Sequence, residues 1–105
     1  MNNEWTITGE GARRRVVQDG EKLMLVEFHF EPGAIGAEHS HPHEQITYLV
    51  RGRVRFMLSG QEIELSAGQS LLIPSNATHG LVALEETLLV DTFSPPREDF
   101  RPKTE

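Results

Sequence analysis

Apolar and polar residues alternate along much of the chain, and turn-forming residues separate the alternating segments. The alternation has a period of two in residues 24–30 and 53–58, and residues 63–65 continue it. A period of two places successive side chains on opposite faces of a β-strand. No stretch of the chain carries the apolar stripe of an amphipathic helix. The pattern therefore predicts short strands joined by turns.

Turn signals recur at intervals of roughly 8 to 12 residues, as they do in all-β sandwiches and barrels. Further strands are predicted over residues 71–73, 81–84 and 87–93, which are rich in aliphatic and β-branched side chains. A single helical turn is predicted over residues 97–100, after two prolines and before Pro102. An all-β chain with little or no helix indicates a jelly-roll or small β-barrel fold.

Length, charge and cysteine content narrow the class of protein. We expect one domain over residues 1–105, with a polar tail at 97–105. The net charge of −6 argues against a nucleic-acid partner. No apolar run approaches the roughly 20 residues that span a bilayer, and no leader-like segment begins the chain, so we expect a cytoplasmic protein without a membrane partner. The absence of cysteine excludes disulfides and thiolate metal sites.

Three of the five histidines fall within five positions, in the segment His39-Ser40-His41-Pro42-His43. On an extended backbone His39 and His41 project from the same face, with Cα atoms roughly 6.5 to 7 Å apart, so that both imidazoles can reach one ion. Imidazole suits zinc, copper, iron and nickel. The alternative interpretation is a solvated histidine-rich loop that binds nothing.

Two histidines do not complete a metal site, and the sequence offers several further ligands. Spacing alone does not choose among the nearby His43, Glu44 and Gln45, because Pro42 interrupts a regular ladder. His79 is the candidate from a distant part of the chain. His29 alternates with two phenylalanines on a predicted strand, and we interpret it as structural.

These residues resemble the two motifs of the cupin superfamily. Gly33, His39, His41 and Gly52 match the first motif, with Gln45 where the family usually has glutamate. The second motif is matched by Gly68, Pro74 and His79. The match covers roughly residues 33–83 and implies a cupin-type double-stranded β-helix. It also implies a divalent metal ion, which could be nickel, zinc, iron or manganese, bound by His39, His41, Gln45 and His79.

Three positions depart from the family motifs. Gln45 replaces a carboxylate by a neutral amide, which leaves a bound ion one charge more positive and favours polarising an oxygen over redox work. Asn76 replaces a glycine, and asparagine tolerates a left-handed backbone better than other non-glycine residues. Ala83 replaces an asparagine.

The tail resembles a narrower group, the small pectin-degradation cupins that convert 4,5-unsaturated uronate monosaccharides to open-chain keto forms. In that group an Asp, a Phe and an Arg line the pocket, and the matching residues here are Asp91, Phe93 and Arg97. The resemblance implies that Asp91 moves protons, Arg97 binds the sugar-acid carboxylate and Phe93 forms an apolar wall. The alternatives are a carboxylate that caps a turn, an exposed ion pair with Glu98 or Asp99, and an ordinary core phenylalanine.

Two other functions remain open from the sequence. One is an Fe(II) cupin dioxygenase acting on a small organic substrate, and the other is a non-catalytic module that binds a sugar or a metal. By family analogy we expect a homodimer in which an N-terminal strand containing Trp5 and Ile7 pairs with the second subunit. We interpret the run Arg13-Arg14-Arg15 as charge that protects an edge strand.

Overall fold

The computed structural model describes residues 4–102, which form ten β-strands and one 3-10 helix over Glu98–Phe100. This confirms the predicted all-β class and the helical turn after the paired prolines. The last three residues of the expected polar tail lie outside the described residues. The strands are β1 (Thr6–Gly9), β2 (Ala12–Asp19), β3 (Met24–Phe30), β4 (Ile35–His39), β5 (Glu44–Arg51), β6 (Arg53–Leu58), β7 (Gln61–Ser66), β8 (Ser70–Ile73), β9 (His79–Ala83) and β10 (Thr87–Ser94).

The strands form two antiparallel sheets. The larger sheet has the order β1-β2-β3-β10-β5-β8, and the smaller sheet has the order β4-β9-β6-β7. Strands that are distant in sequence are neighbours in both sheets, which is the topology of a jelly roll. The main core lies between the sheets, where Leu49 and Leu89 of the larger sheet pack with Val54 and Phe56 of the smaller one.

Strand β5 reverses the usual polarity of a half-buried strand. Its inward positions are Gln45, Thr47 and Leu49, all buried. Its outward positions Ile46 and Tyr48 are apolar and about half exposed, at 51% and 47%. Polar groups therefore enter the interior at one end of β5, next to the histidine-rich segment.

The arginine run does not lie on an edge strand, so that prediction is wrong. Strand β2 pairs with β1 on one side and with β3 on the other. Strand β1 forms the edge of the larger sheet, and Ile7 within it is 74% exposed. Within residues 4–102 strand β1 has only β2 as a neighbour, and pairing of the N-terminal strand with a second subunit stays a prediction.

The turn before β9 confirms the role expected for Asn76, whose φ is +66°. Asparagine is one of the few side chains that populate this left-handed region readily. In the part of the chain from residue 4 to residue 102, no helix is long and apolar enough to cross a membrane.

Candidate metal centre and cavity

The structure brings three of the predicted metal ligands together. His39 ends β4 and His79 begins β9, and the two residues are direct partners across these strands. His41 follows in the loop after β4. The ring centroids are 4.5 Å apart for His39 and His79, 4.9 Å for His41 and His79, and 5.4 Å for His39 and His41. One ring nitrogen from each residue lies within 4.8 Å of the other two.

Backbone carbonyls fix the tautomer of all three histidines. In each ring Nδ1 contacts a carbonyl oxygen, which only accepts hydrogen bonds, so Nδ1 is the protonated nitrogen. Each Nε2 then carries a lone pair and is available as a ligand, the arrangement that outer hydrogen bonds impose on metal-binding histidines. In His41 this lone pair faces Oε1 of Gln45, which is also an acceptor, and an ion bound by both atoms would satisfy the two lone pairs. The acceptors are the carbonyls of Ala37, His43 and Ala77, at 3.0, 3.1 and 2.9 Å respectively.

Gln45, the second residue of β5, supplies the fourth predicted ligand atom. Its Oε1 lies 3.0 Å from Nε2 of His41, and both residues are buried. Two ligand atoms that each lie about 2.1 Å from one ion are about 3 Å apart when they meet it at a right angle. The donor set, three imidazole nitrogens and one amide oxygen, thus fits a divalent transition-metal ion.

The loop that carries His41 is tied to the turn before His79. The backbone N–H of Asn76 donates to the carbonyl of His41 at 2.8 Å. The Ser75 hydroxyl donates to the carbonyl of Pro42. These bonds connect the two sequence motifs and place ligands from distant parts of the chain side by side.

Burial keeps two of the clustered histidines neutral. Burial, together with the positive charge of Arg97, lowers the pKa of His41 to about 4. Burial also lowers the pKa of His79. A metal binds the neutral imidazole, so the environment favours the form that coordinates.

A chain of hydrogen bonds runs from the histidine cluster to Asp91 on β10. Thr47 and Asp91 are direct partners across β5 and β10, as are Gln45 and Phe93. The Gln45 amide donates through Nε2 to Oγ1 of Thr47 at 3.0 Å, and that hydroxyl donates to Oδ1 of Asp91 at 2.5 Å. Thr47 is fully buried and was not singled out from the sequence, although its period-two spacing from Gln45 places it on the same face.

Asp91 lines the cavity and does not cap a turn. Burial raises its pKa to about 7, against the opposing effects of hydrogen bonds from Thr47 and Gln45 and of the Arg97 charge. A carboxyl group in this range exchanges protons readily near neutral pH.

Phe93 and Arg97 lie beside Asp91 and the histidine cluster. Phe93 is buried in a small core cluster with Met24 and Val26, and its ring meets that of His41 edge-on at 5.7 Å. Arg97 is only 9% exposed. Its guanidinium donates through Nε and Nη2 to the two carboxylate oxygens of Asp99, at 3.0 and 2.8 Å. The ion pair with Asp99 is therefore present, but Arg97 is buried.

A cavity of about 540 Å³ connects these residues, a volume typical of small-molecule sites. Its polar lining includes His39, Gln45, His79, Asp91 and Arg97, and aromatic and aliphatic residues complete the wall. Among the lining residues that were not assigned to the site from the sequence are Arg14, Thr47, Asp99 and Phe100. His43 and the exposed Glu44 stay outside the histidine cluster, which excludes them from the set of close ligand atoms.

Comparison with known proteins agrees with this geometry. The family model described as a cupin domain matches residues 26–92. The pectin degradation protein KdgF of Dickeya dadantii is 40% identical over 98 residues, covering 91% of this chain and 89% of that protein.

Two solved structures resemble the fold closely. The structure of KdgF from a Halomonas species superposes with a TM-score of 0.89 and 38% identity, covering 93% of this chain and 91% of the other. An RmlC-like cupin from Shewanella frigidimarina gives a TM-score of 0.89 and 37% identity, covering 94% and 89%. The similarity to all three proteins extends over nearly the whole chain.

Proposed function

Because this chain belongs to the cupin domain family, we propose that it is a metal-dependent cupin enzyme that converts 4,5-unsaturated uronate monosaccharides to open-chain keto forms. The observation that carries the proposal is one cavity lined by Asp91, Arg97, His39 and His79, with His41 clustered beside the two histidines. The relative named as a pectin degradation protein supports the same substrate class.

His39, His41, His79 and Gln45 would hold the ion, and nickel, zinc, iron and manganese all accept this donor set. When bound, a divalent ion supplies positive charge that polarises an oxygen of the substrate. The neutral Gln45 leaves that charge uncompensated by the ligands. This favours a reaction in which negative charge develops on oxygen and no electron is transferred.

The remaining residues bind and orient the sugar acid. Arg97 keeps three N–H donors after its two bonds to Asp99, and a carboxylate can accept them. Phe93 is rigidly packed between its core neighbours and the ring of His41, and it presents an apolar surface to one face of the sugar. Both residues lie close to Asp91, so the bound ring is placed beside a proton-exchanging group.

Asp91 moves the proton that the reaction requires. In the cyclic substrate, loss of the proton from the anomeric hydroxyl forms the C1 carbonyl and breaks the bond between C1 and the ring oxygen. The ring oxygen then takes the electron pair as an enolate, and protonation at C4 converts the C4=C5 enolate to a C5 ketone. One proton leaves O1 and one arrives at C4, so the product is an isomer of the substrate and a single carboxyl group can serve both steps.

The direct test follows the ultraviolet absorbance of the C4=C5 bond with protein loaded separately with each of the four metals. We expect the absorbance to fall faster than its spontaneous rate, and in D₂O we expect one deuterium at C4 of the product. No acceleration with any metal would refute the proposal. Oxygen uptake by the Fe(II)-loaded protein would instead identify a dioxygenase, and saturable binding without turnover would identify a binding module.

We also propose a homodimer. The outer face of the larger sheet carries the exposed apolar residues Ile46, Tyr48, Val50 and Leu72, and no charged residue separates them on β5 and β8. A second copy related by a two-fold axis meets no like charge there, which makes it a suitable partner for this face. Light scattering of the wild type and of Tyr48→Glu tests the proposal, which predicts a dimer for the former and a monomer for the latter.

A further inference from the structure

The three consecutive arginines on β2 have different surroundings. Arg13 and Arg15 point to the outer face, where their guanidinium carbons lie 4.6 and 4.7 Å from the ring centroid of Trp5. Arg15 also donates to Glu27 at 2.7 Å. Arg14, the middle residue, pairs with Phe28 across the strands and lines the cavity. The alternation of β2 thus places one of three equal charges inside.

Arg14 has no hydrogen-bond acceptor among residues 4–102. Its guanidinium lies 4.0 Å over the ring of Phe100, and the nearest charges that act on it are those of Asp99 and Arg97. Burial lowers its pKa. A partly buried guanidinium carries five N–H donors that need acceptors, and an anion is the ligand that satisfies both the donors and the charge.

The balance of charges around Phe100 also indicates Arg14 as the anion-binding residue. Arg97 stacks on the same Phe100 ring at 4.2 Å, but Asp99 compensates its charge through two hydrogen bonds. Both carboxylate oxygens of Asp99 therefore accept hydrogen bonds from Arg97, and Asp99 makes no hydrogen bond to Arg14. A ligand carboxylate entering the cavity finds its unpaired countercharge on Arg14.

We propose that Arg14 is a carboxylate-binding residue of this cavity and acts together with Arg97, which contacts the same Phe100 ring. The pair makes the cavity selective for anionic sugars over neutral ones. The identity of the sugar acid rests on the function proposed above, whereas recognition of a carboxylate by Arg14 does not. Within the run of arginines, Arg14 is then a binding residue, whereas Arg13 and Arg15 are charges of the outer face.

The experiment measures binding, so that it is independent of turnover. Calorimetry of the protein as purified compares galacturonate, a saturated uronate, with its uncharged methyl ester. We expect the wild type to prefer the acid, and Arg14→Gln to weaken binding of the acid by at least about tenfold while leaving the ester unchanged. Arg13→Gln removes the same charge from the outer face of the same strand, and its affinity for both ligands is expected to match the wild type.

Two further variants separate charge from packing. Arg14→Met keeps the contact with Phe100 and removes the charge, so its affinities for the acid and the ester are expected to match those of Arg14→Gln. Circular dichroism and the melting temperature check that both variants keep the wild-type fold. Arg14→Lys keeps the charge and is expected to recover part of the preference. Equal weakening by Arg13→Gln and Arg14→Gln, or no preference for the acid in the wild type, would overturn the inference. Failure of the proposed function appears separately, as absent turnover of the unsaturated uronate.

Discussion

Thr47 and Asp91 face each other across β5 and β10, and the threonine hydroxyl donates to Oδ1 of Asp91 at 2.5 Å. Because a hydroxyl has one proton, Thr47 can only accept the bond from Nε2 of Gln45. That bond leaves Oε1 of Gln45 facing His41. The oxygen is the amide atom that can bind a metal, so one buried hydroxyl sets the orientation of the candidate ligand Gln45 and holds the carboxyl group of Asp91, to which we assign proton transfer.

We expect Thr47→Val to weaken metal binding and to lower the free energy of unfolding by about 1–3 kcal/mol, because it removes the acceptor of the buried Gln45 amide and one hydrogen bond to the buried carboxylate of Asp91. Thr47→Ser keeps the hydroxyl and is expected to stay close to the wild type. Titration with Co(II) and its visible absorption spectrum report the ligand set directly. Identical spectra and affinities for Val and Ser would show that the hydroxyl does not orient Gln45.

Removal of one clustered histidine is expected to reduce metal affinity strongly. His41→Ala should lower it by at least about 100-fold, since it removes a ligand and not only a supporting hydrogen bond. His43→Ala is the matched control from the same segment, because His43 lies outside the close cluster. Metal content after dialysis, measured by mass spectrometry, distinguishes the two. A similar loss in both variants would argue that the loop and not the cluster binds the ion.

Asp91→Asn is expected to lower kcat for uronate ring opening by a factor of about 10² to 10⁴, the usual contribution of a general acid or base. The amide still accepts the bond from Thr47, so metal content and KM should change little. Steady-state kinetics with metal-loaded protein make the measurement. An unchanged kcat would assign proton transfer to another group.

Arg97→Lys is expected to raise KM by about tenfold or more with a smaller effect on kcat, because an ammonium cannot offer the planar set of donors of a guanidinium. Arg101→Lys is the control, since Arg101 pairs with Asp19 and does not line the cavity. If Arg101→Lys raises KM as much as Arg97→Lys does, the increase in KM is caused by weaker anchoring of the tail and not by loss of a substrate contact.

The pH dependence of stability tests the ion pairs of Glu86. Hydrogen bonds from Arg51 and then from His29 lower the pKa of Glu86 to about 2 from its ordinary value of 4.5. A carboxyl group whose pKa is lower in the folded state stabilises the protein above its ordinary pKa, and this contribution is lost as the pH falls from about 4.5 toward 2. Glu86→Gln is expected to flatten the decline of the melting temperature in that range.

Glu62→Gln removes one charge from a longer ion pair, with Arg55 at 3.6 Å, and controls for the change in net charge. If the two substitutions change the pH dependence of the melting temperature equally, the ion pairs of Glu86 have no special role in it.

The sequence predicted the strands whose buried face is apolar. In β6, and in β3 over residues 24–27, the alternation of side chains agrees with the alternation of burial. Burial also alternates in β10, with Asp91 as its one inward charge. The histidine cluster was predictable as well, since His39 and His41 are two positions apart in the sequence and the second motif supplied His79. Gly-rich turns fixed the ends of most strands.

Strand β5 was not predicted, and the physical reason is that polar residues occupy part of its inward face. Its inward residues Gln45 and Thr47 are polar because they belong to the hydrogen-bonded chain, and its outward residues Ile46 and Tyr48 are apolar. A rule that places apolar residues inside assigns this strand the wrong face or no strand. The same limit applies to Arg14, since a charge-rich segment indicates an exposed edge and gives no sign that one of its side chains points inward.

Three of the four candidate ligands come from the two sheets, with His39 and His79 on β4 and β9 and Gln45 on β5, and His41 lies in the loop that joins β4 to β5. An ion bound by them would cross-link two layers that are otherwise joined by loops and by apolar packing. Metal binding then adds to the free energy of folding, and the melting temperature rises with the concentration of free ion. Scarcity of the metal would thus reduce not only the rate of the reaction but the lifetime of the folded chain.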